Sequence, residues 1–213
     1  MDHAVALVES YLRLNGYFTL TEYPVIEACR HGGFRTATDL DLLAFRFPGA
    51  GCLVPSNGKA PASHREMQVF TPDPQLGGLG NEPDMLIGEV KEGRAELNEA
   101  ATDPAVLRAV LTRFGCCRPE HVQAVVQTLL EKGRARTHCG HTVRMVGFGS
   151  LPPLSRGVKY TFISLGHVQD FLETYLHDHW DLLCHAQFKD LAFGFEVLLE
   201  KARRGRQPDL HPK

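Results

Sequence analysis

The chain has 213 residues, of which 43% are hydrophobic and 23% are charged, and its formal net charge is −2. This length and composition allow one sizeable core, or one core with a small appendage, and exclude an intrinsically disordered chain. No apolar run is long enough to cross a bilayer and the N-terminal segment lacks the basic start of a signal peptide, so we expect a cytoplasmic protein without a membrane partner.

The first predicted element is a helix. Apolar residues at near-helical spacing predict an amphipathic helix over residues 3–15, which ends at Asn15-Gly16 in the manner of a C-cap. Residues 17–29 are rich in β-forming side chains, and Pro24 indicates that this strand lies at an edge or carries a bulge.

The clearest strand covers residues 39–47, with the sequence DLDLLAFRF. Because side chains alternate with period two in a strand, Asp39 and Asp41 are expected on one face. Residues 48–83 are rich in Pro and Gly and predict an insertion, because so long a loop is unusual inside a compact domain.

A second strong strand covers residues 84–91, with the sequence DMLIGEVK. Strict alternation places Glu89 and Lys91 on the same face as Met85 and Ile87. Beyond it, the pattern predicts helices over residues 94–101, 103–114, 118–132, 166–179 and 181–203, and strands over residues 142–148 and 158–165.

Strands separated by helical segments predict an α/β fold in which helices flank a mixed central sheet. We assign residues 1–165 to the core, with the insertion at 48–83. Residues 166–213 are expected to form a C-terminal helical extension packed on the same domain. The cysteines are at positions 29, 52, 116, 117, 139 and 184 without a framework spacing, so they predict reduced thiols.

The residues that carry chemistry are Asp41, Glu89 and Lys91. Glu89 and Lys91 project to one side of their strand, about 7 Å apart along the chain. If the two strands are neighbours, Asp41 reaches the same place, and two carboxylates with an open side are suitable ligands for Mg²⁺. A lysine beside the ion can orient water or stabilise charge that develops on a phosphate.

These motifs resemble the PD-(D/E)xK nuclease superfamily. Its members carry an Asp on one strand and Glu-x-Lys on the next, after an N-terminal helix that often contributes a Glu. Here TDLDLLAF matches the first strand through Asp41, IGEVKEG matches the second through Glu89 and Lys91, and Glu9 matches the helical Glu. The style of these segments is most similar to the Holliday-junction-resolvase-like and restriction-type branches.

The resemblance implies a restriction-endonuclease-like three-layer sandwich and a Mg²⁺- or Mn²⁺-dependent endonuclease that hydrolyses phosphodiester bonds in nucleic acid, with DNA as the favoured substrate. Asp41 and Glu89 would bind the metal, Lys91 would position water, and Glu9 would support the cluster. Nuclease domains of this size often act as dimers, so the resemblance is also compatible with a homodimer. The resemblance covers about the first two-thirds of the chain well.

Several other residues are candidates for supporting roles. Asp39 and Glu27 are candidates for a second layer around the metal. Arg35, Arg46 and Arg94 flank the motif and are candidates for phosphate contacts. Residues 1–100 hold 8 Lys and Arg against 14 Asp and Glu, whereas residues 101–213 hold 15 against 11, an asymmetry that leaves open a cation site in one half and a phosphate surface in the other.

The sequence departs from the superfamily pattern in two ways. The separation between Asp41 and Glu89 is long, and the insertion at 48–83 accounts for it. A literal Pro-Asp occurs at Pro83-Asp84, but it begins the same strand as Glu89, so Asp84 is interpreted as a residue at the start of that strand.

Other interpretations stay open. The chain is also consistent with a catalytically silent nucleic-acid-binding or regulatory protein of the same fold, or with an edge-strand ion pair of Lys91 and no active site. Residues 104–148 resemble a winged helix, although TVRMVGF also suits a strand of the main sheet. Two weaker metal sets are a helical face with His177, Asp181 and His185, and a zinc set of Cys116, Cys117, Cys139 and His141.

Overall fold

The computed structural model describes residues 2–50, 72–77, 82–185 and 191–205. Most of the predicted insertion lies outside the described residues. The elements are, in chain order, α1 (His3–Leu14), β1 (Phe18–Ala28), β2 (Phe34–Arg46), β3 (Asp84–Arg94), α2 (Pro104–Arg113), α3 (Pro119–Lys132), β4 (Arg134–Arg136), β5 (Thr142–Leu151), β6 (Thr161–Ser164), α4 (Leu165–Asp178), α5 (Trp180–Leu183) and α6 (Leu191–Arg204).

The strands form one mixed sheet in the order β1-β2-β3-β5-β4, with β6 also paired to β5. The pairs β1–β2, β2–β3 and β4–β5 are antiparallel, whereas β3–β5 and β5–β6 are parallel. The chain is therefore an α/β protein with a mixed central sheet, as predicted. TVRMVGF lies in β5, beside β3, so it is a strand of the main sheet.

Helices cover both faces of this sheet. One core lies between the sheet and α1, α4 and α6, and it is built around Leu42, Phe148 and Tyr11. The other lies between the sheet and α2 and α3, and it includes Leu43 and Ile87. Helix α4, where the predicted C-terminal extension begins, packs on the same core as α1.

Local signals explain where the helices begin and end. The Asp2 side chain accepts a hydrogen bond from the Ala4 amide and caps α1. Asp103 caps α2 in the same way, with Pro104 in the first turn, and α3 ends at Gly133, whose φ of 70° lies in the left-handed region.

Two predicted helices are wrong. Residues 94–101 do not form a helix, because β3 continues to Arg94 and the Ala95 amide bonds to the Leu151 carbonyl, so sheet pairing prevails over local helix propensity. Only a short 3-10 turn follows, at Ala100–Thr102. The helix predicted over 181–203 is interrupted by a turn at residues 184 and 185.

The prediction of reduced thiols is confirmed for the part of the chain that the structure describes. The described cysteines, Cys29, Cys116, Cys117, Cys139 and Cys184, are all free thiols. Within the same part of the chain, no helix combines the length and the apolar character that spanning a bilayer requires.

A buried ion pair joins β3 to β5 at the start of both strands. The Arg144 guanidinium donates to both oxygens of Asp84, at 3.0 and 2.7 Å, and also to the carbonyls of Leu76 and Gly77. The Tyr17 hydroxyl donates to Asp84 at 2.5 Å, and burial, followed by this carboxylate, raises the Tyr17 pKa. Asp84 is therefore a structural residue whose hydrogen-bonding capacity is used inside the fold.

The same end of the molecule holds the described segment 72–77 in place. Asp73 accepts hydrogen bonds from the Tyr11 hydroxyl at 2.5 Å and from the His167 ring, and its amide donates to Asn15 at 2.6 Å. These contacts tie the segment to α1 and α4, and they use residues to which the sequence alone assigned no role.

We expect Arg144→Ala to lower the free energy of unfolding by about 3–5 kcal/mol, because it leaves the Asp84 carboxylate buried without its partner. Urea unfolding measures the difference. Arg134→Ala is the matched control on the neighbouring strand, since Arg134 is exposed and its loss should cost less than about 0.5 kcal/mol. Equal losses in the two variants would contradict the structural role of the ion pair.

Candidate active site

The candidate site lies where β2 separates from β3. The pairing between these strands ends at Leu42 and Gly88, whereas β2 stays paired to β1 over almost its whole length. At the point of separation, the Asp41 side chain takes the place of a backbone partner: its Oδ2 accepts the Val90 amide at 2.9 Å. The position of Asp41 is therefore fixed by the sheet itself.

Glu89 is the buried centre of the site. It lies on β3 beside Gly147 of β5, and only 1% of its side chain is exposed. Its Oε1 accepts hydrogen bonds from Lys91 Nζ at 2.5 Å and from Asn98 Nδ2 at 2.8 Å. Its Oε2 is buried and has no hydrogen-bond partner among the described residues. Buried carboxylate oxygens are rarely left without a partner, so this atom is available for a ligand.

Lys91 bridges the two carboxylates. Its Nζ lies 2.5 Å from Glu89 and 3.9 Å from Asp41 Oδ2, and 42% of its side chain is exposed. Burial lowers the pKa of Lys91, but the hydrogen bond and charge of Glu89 outweigh it, with smaller contributions from Asp41 and Asp2, so the pKa is raised overall. Lys91 is accordingly a stable cation.

The charge on Glu89 is disfavoured despite this partner. Burial raises the pKa of Glu89, and nearby Asp41 raises it further, whereas the hydrogen bonds from Lys91 and Asn98 lower it. The balance is a raised pKa. A buried carboxylate with a perturbed pKa, beside a second carboxylate, is a feature that functional sites share.

The backbone beside the site is distorted as well. Glu22 has a φ of 51°, the one non-glycine value in the left-handed region among the described residues. It lies on β1 between Thr21, paired to Leu42, and Tyr23, paired to Leu40, and therefore beside Asp41. Such a conformation is costly for a side-chain-bearing residue, and distortions of this kind occur at functional sites more often than elsewhere.

The structure brings together Asp41, Glu89 and Lys91, but it does not bring Glu9 to them. Glu9 is a buried residue of α1, and its Oε1 accepts hydrogen bonds from Arg13 at 2.7 Å and from Thr19 at 2.9 Å. Thr19 pairs with Ala44, three residues or about 10 Å along β2 from Asp41. At the site, the contribution of α1 is its cap residue Asp2, whose charge acts on Lys91.

The proposed supporting carboxylates are also elsewhere. Asp39 is exposed on the part of β2 that has left β3, and it pairs across the hairpin with Pro24. Glu27 forms an ion pair with Arg35 at 2.5 Å. That pair lies about 20 Å along β2 from Asp41, near the tip of the hairpin.

Of the predicted phosphate contacts, Arg94 is the one that lies beyond the site residues on β3. It is exposed, lies three residues beyond Lys91 on β3 and donates to the Pro152 carbonyl at 3.2 Å. Arg35 donates a hydrogen bond to Glu27, and this hydrogen bond raises the Arg35 pKa. Arg46 is buried at the opposite end of β2, where it lies opposite Asp84 in the register of the two strands.

Sequence reasoning missed Asn98 and Asp2. Asn98 was hidden by the helix predicted over residues 94–101, although Asn is favoured in turns because its side chain can bond to nearby backbone amides. The Asn98 Oδ1 indeed accepts the Ala101 amide at 2.5 Å. Asp2 is recognisable from sequence as a helix cap, but its proximity to Lys91 depends on tertiary packing.

The two weaker metal sets do not form. Helix α4 ends at Asp178 and α5 ends at Leu183, so His177, Asp181 and His185 do not share one helix face. Cys116 is buried and donates to the Leu111 carbonyl, whereas Cys139 lies exposed beside His138. In the described ranges, no group of three His, Cys, Asp or Glu side chains is arranged to hold a metal ion.

Asp41 and Glu89 nevertheless suit a hard cation. Mg²⁺ is commonly bound through one or two carboxylates, with water and phosphate oxygens completing its shell, so a third protein carboxylate is not required. Glu89 Oε2, which no described residue contacts through a hydrogen bond, is a metal-binding oxygen of the right kind. The Lys91 ammonium, at 2.5 Å from the other oxygen, competes for the same charge.

Comparisons with protein-family models, with curated proteins and with solved structures found no significant match to this chain.

The buried charge at Glu89 predicts a stability cost. We expect Glu89→Gln to raise the free energy of unfolding at about pH 8 by about 1 kcal/mol, because it removes a charge that burial disfavours. Since the folded-state pKa lies above its ordinary value of 4.5, the wild-type carboxyl contributes stability below that value, which is lost as the pH rises through the raised pKa.

Urea unfolding between about pH 5 and about pH 8 tests this linkage, and the advantage of Glu89→Gln should grow with pH. The control is Glu92→Gln, because Glu92 is exposed on the same strand. A Glu89→Gln variant less stable than wild type at the upper pH would contradict a net cost of the buried charge.

Proposed function

We propose that the protein is a metal-dependent phosphodiesterase acting on nucleic acid, with DNA as the favoured substrate, and that its site consists of Asp41, Glu89 and Lys91. The observation that carries this proposal is the meeting of the three side chains where two strands part, with Glu89 Oε2 buried and without a hydrogen-bond partner in the described part of the chain. The resemblance of TDLDLLAF and IGEVKEG to PD-(D/E)xK nucleases supports it, and a restriction-endonuclease-like arrangement of the flanked mixed sheet is part of the same proposal.

In this proposal, Asp41 and Glu89 hold Mg²⁺ or Mn²⁺. When bound, the ion supplies Lewis-acid stabilisation of the phosphate and lowers the pKa of a water molecule. Glu89 contributes Oε2, since Oε1 is already used by two donors. Asp41 is held in place by the Val90 amide, so little side-chain entropy is lost when it binds the ion.

Lys91 acts as a cation. Its raised pKa keeps the ammonium protonated, so it serves as a donor to a phosphate oxygen or to the attacking water and does not serve as a general base. The side chain is 42% exposed and its stem is flexible. The ammonium can therefore turn from Glu89 towards a substrate bound where β2 and β3 separate. Arg94, farther along the same strand, is the candidate for a second phosphate contact.

A second candidate function is that of a catalytically silent nucleic-acid-binding or regulatory protein with the same fold. The observation that favours it is the ion pair itself: Lys91 already neutralises Glu89 at 2.5 Å, and Glu9, which would support the cluster in the resembling nucleases, is engaged by Arg13 and Thr19. In such a protein Lys91 neutralises Asp41 and Glu89 inside the fold, and nucleic acid binds without hydrolysis.

Cleavage of labelled duplex, single-stranded and four-way-junction DNA in the presence of Mg²⁺ or Mn²⁺ tests the proposal. We expect chelation of the metal to abolish cleavage, and Asp41→Ala, Glu89→Ala and Lys91→Ala each to slow it by about 100-fold or more, because each removes a metal ligand or the cation that stabilises developing charge. Glu92→Ala, which removes an exposed carboxylate from the same strand, should retain the wild-type rate.

Mn²⁺ calorimetry on the same variants separates the two functions. Binding that requires Asp41 and Glu89, without cleavage of any substrate, would favour the silent protein. Equal cleavage by wild type and Glu89→Ala would reject this site as the source of the activity.

A further inference from the structure

We propose that Asn98 is a positioning residue of the candidate site, which holds Glu89 so that one carboxylate oxygen stays open towards a cation. This inference rests on the proposed function for the role of the cation, but the contacts of Asn98 are independent of it. Asn98 lies beyond the end of β3, nine residues after Glu89, and its side chain reaches back to the Glu89 carboxylate.

The orientation of the Asn98 amide follows from its two neighbours. The Ala101 backbone amide can only donate a hydrogen bond, so the atom that faces it at 2.5 Å must be the Asn98 carbonyl oxygen. The amide nitrogen therefore faces Glu89 Oε1, at 2.8 Å. Asn98 is accordingly a fixed donor to Glu89, and in this orientation it is not a metal ligand.

This donor makes the two oxygens of Glu89 unequal. Oε1 receives Asn98 and Lys91, whereas Oε2 receives no hydrogen bond among the described residues. If Lys91 turns towards a substrate, Asn98 remains as the donor that keeps Oε1 in place. The carboxylate then presents Oε2 in the same direction before and after Lys91 moves.

The segment that carries Asn98 is held against β5 by a close backbone approach. Ala95 packs on Gly149, where an added Cβ would lie 2.6 Å from the Ala95 nitrogen, and the Ala95 carbonyl accepts from the Tyr160 hydroxyl at 2.8 Å. Gly147 and Gly149 are the β5 residues that pair with Glu89 and Lys91. The lack of side chains at these two positions lets the chain fold back over β5 and bring Asn98 to Glu89.

Two variants separate positioning from folding. Asn98→Ala removes both hydrogen bonds, whereas Asn98→Asp keeps an acceptor for the Ala101 amide and replaces the donor to Glu89 with a charged carboxylate oxygen. Thr102→Ala is the control, because the Thr102 hydroxyl donates to the carbonyls of Asn98 and Glu99 in the same turn and is not bonded to Glu89.

The first measurement is the titration of the Glu89 carboxyl by ¹³C NMR without metal. We expect the Glu89 pKa to rise further in Asn98→Ala, because a hydrogen bond that favours the charged form is lost, and to rise more in Asn98→Asp, because a further negative charge is added beside Glu89 and Asp41. Thr102→Ala should titrate as the wild type does. An unchanged Glu89 pKa in both Asn98 variants would overturn the inference.

The second measurement is Mn²⁺ affinity by calorimetry. We expect Asn98→Ala to weaken binding by about 10–100-fold, as is usual when a residue that orients a metal ligand is removed, with wild-type affinity in Thr102→Ala. Equal affinity in wild type and Asn98→Ala would overturn the inference. If the wild type itself binds no Mn²⁺, the proposed function fails, and the carboxyl titration still decides whether Asn98 positions Glu89.

Discussion

The buried charge of Glu89 is the constraint around which the site is built. A carboxylate with 1% exposure on a central strand is costly, and the structure offsets that cost with Lys91 at 2.5 Å and Asn98 at 2.8 Å on a single oxygen. The second oxygen has no partner among the residues that the structure describes, so the offset is incomplete and the pKa of Glu89 stays raised. An incompletely satisfied buried group is unfavourable for stability and useful for binding.

The two ends of β3 carry buried carboxylates with different hydrogen-bond environments. At its start, Asp84 accepts from Arg144 and Tyr17, and Arg144 is further bonded to two carbonyls, so the network is closed. Near its end, Glu89 is paired with Lys91, whose side chain is 42% exposed, and one Glu89 oxygen has no hydrogen-bond partner among the described residues. The same strand thus carries one ion pair that fixes the fold and one that, in the proposed function, gives way to a ligand.

Period-two alternation predicted that Glu89 and Lys91 share a face, because a strong apolar pattern identifies their strand. That Asp41 meets them depended on the two strands being neighbours, which only the resemblance implied. Glu9 could not be excluded from sequence, since it lies on the predicted first helix and matches the helical Glu of the resembling nucleases. Only packing shows that it is bonded to Arg13 and Thr19. Asn98 was missed for a related reason: sheet pairing at Arg94 and the glycines of β5 decide the course of residues 95–98, and neither is a local signal.

The most direct test of the central claim is a crystal structure of the protein soaked with Mn²⁺, in which anomalous scattering locates the ion without assumptions. The account predicts one peak in coordination contact with Asp41 and with Oε2 of Glu89, the Asn98 hydrogen bond to Oε1 retained, and the Lys91 ammonium displaced from the carboxylates. A structure in which Lys91 keeps its contact with Glu89 and the ion is absent, or is bound elsewhere, would contradict the assignment of these residues as a metal site.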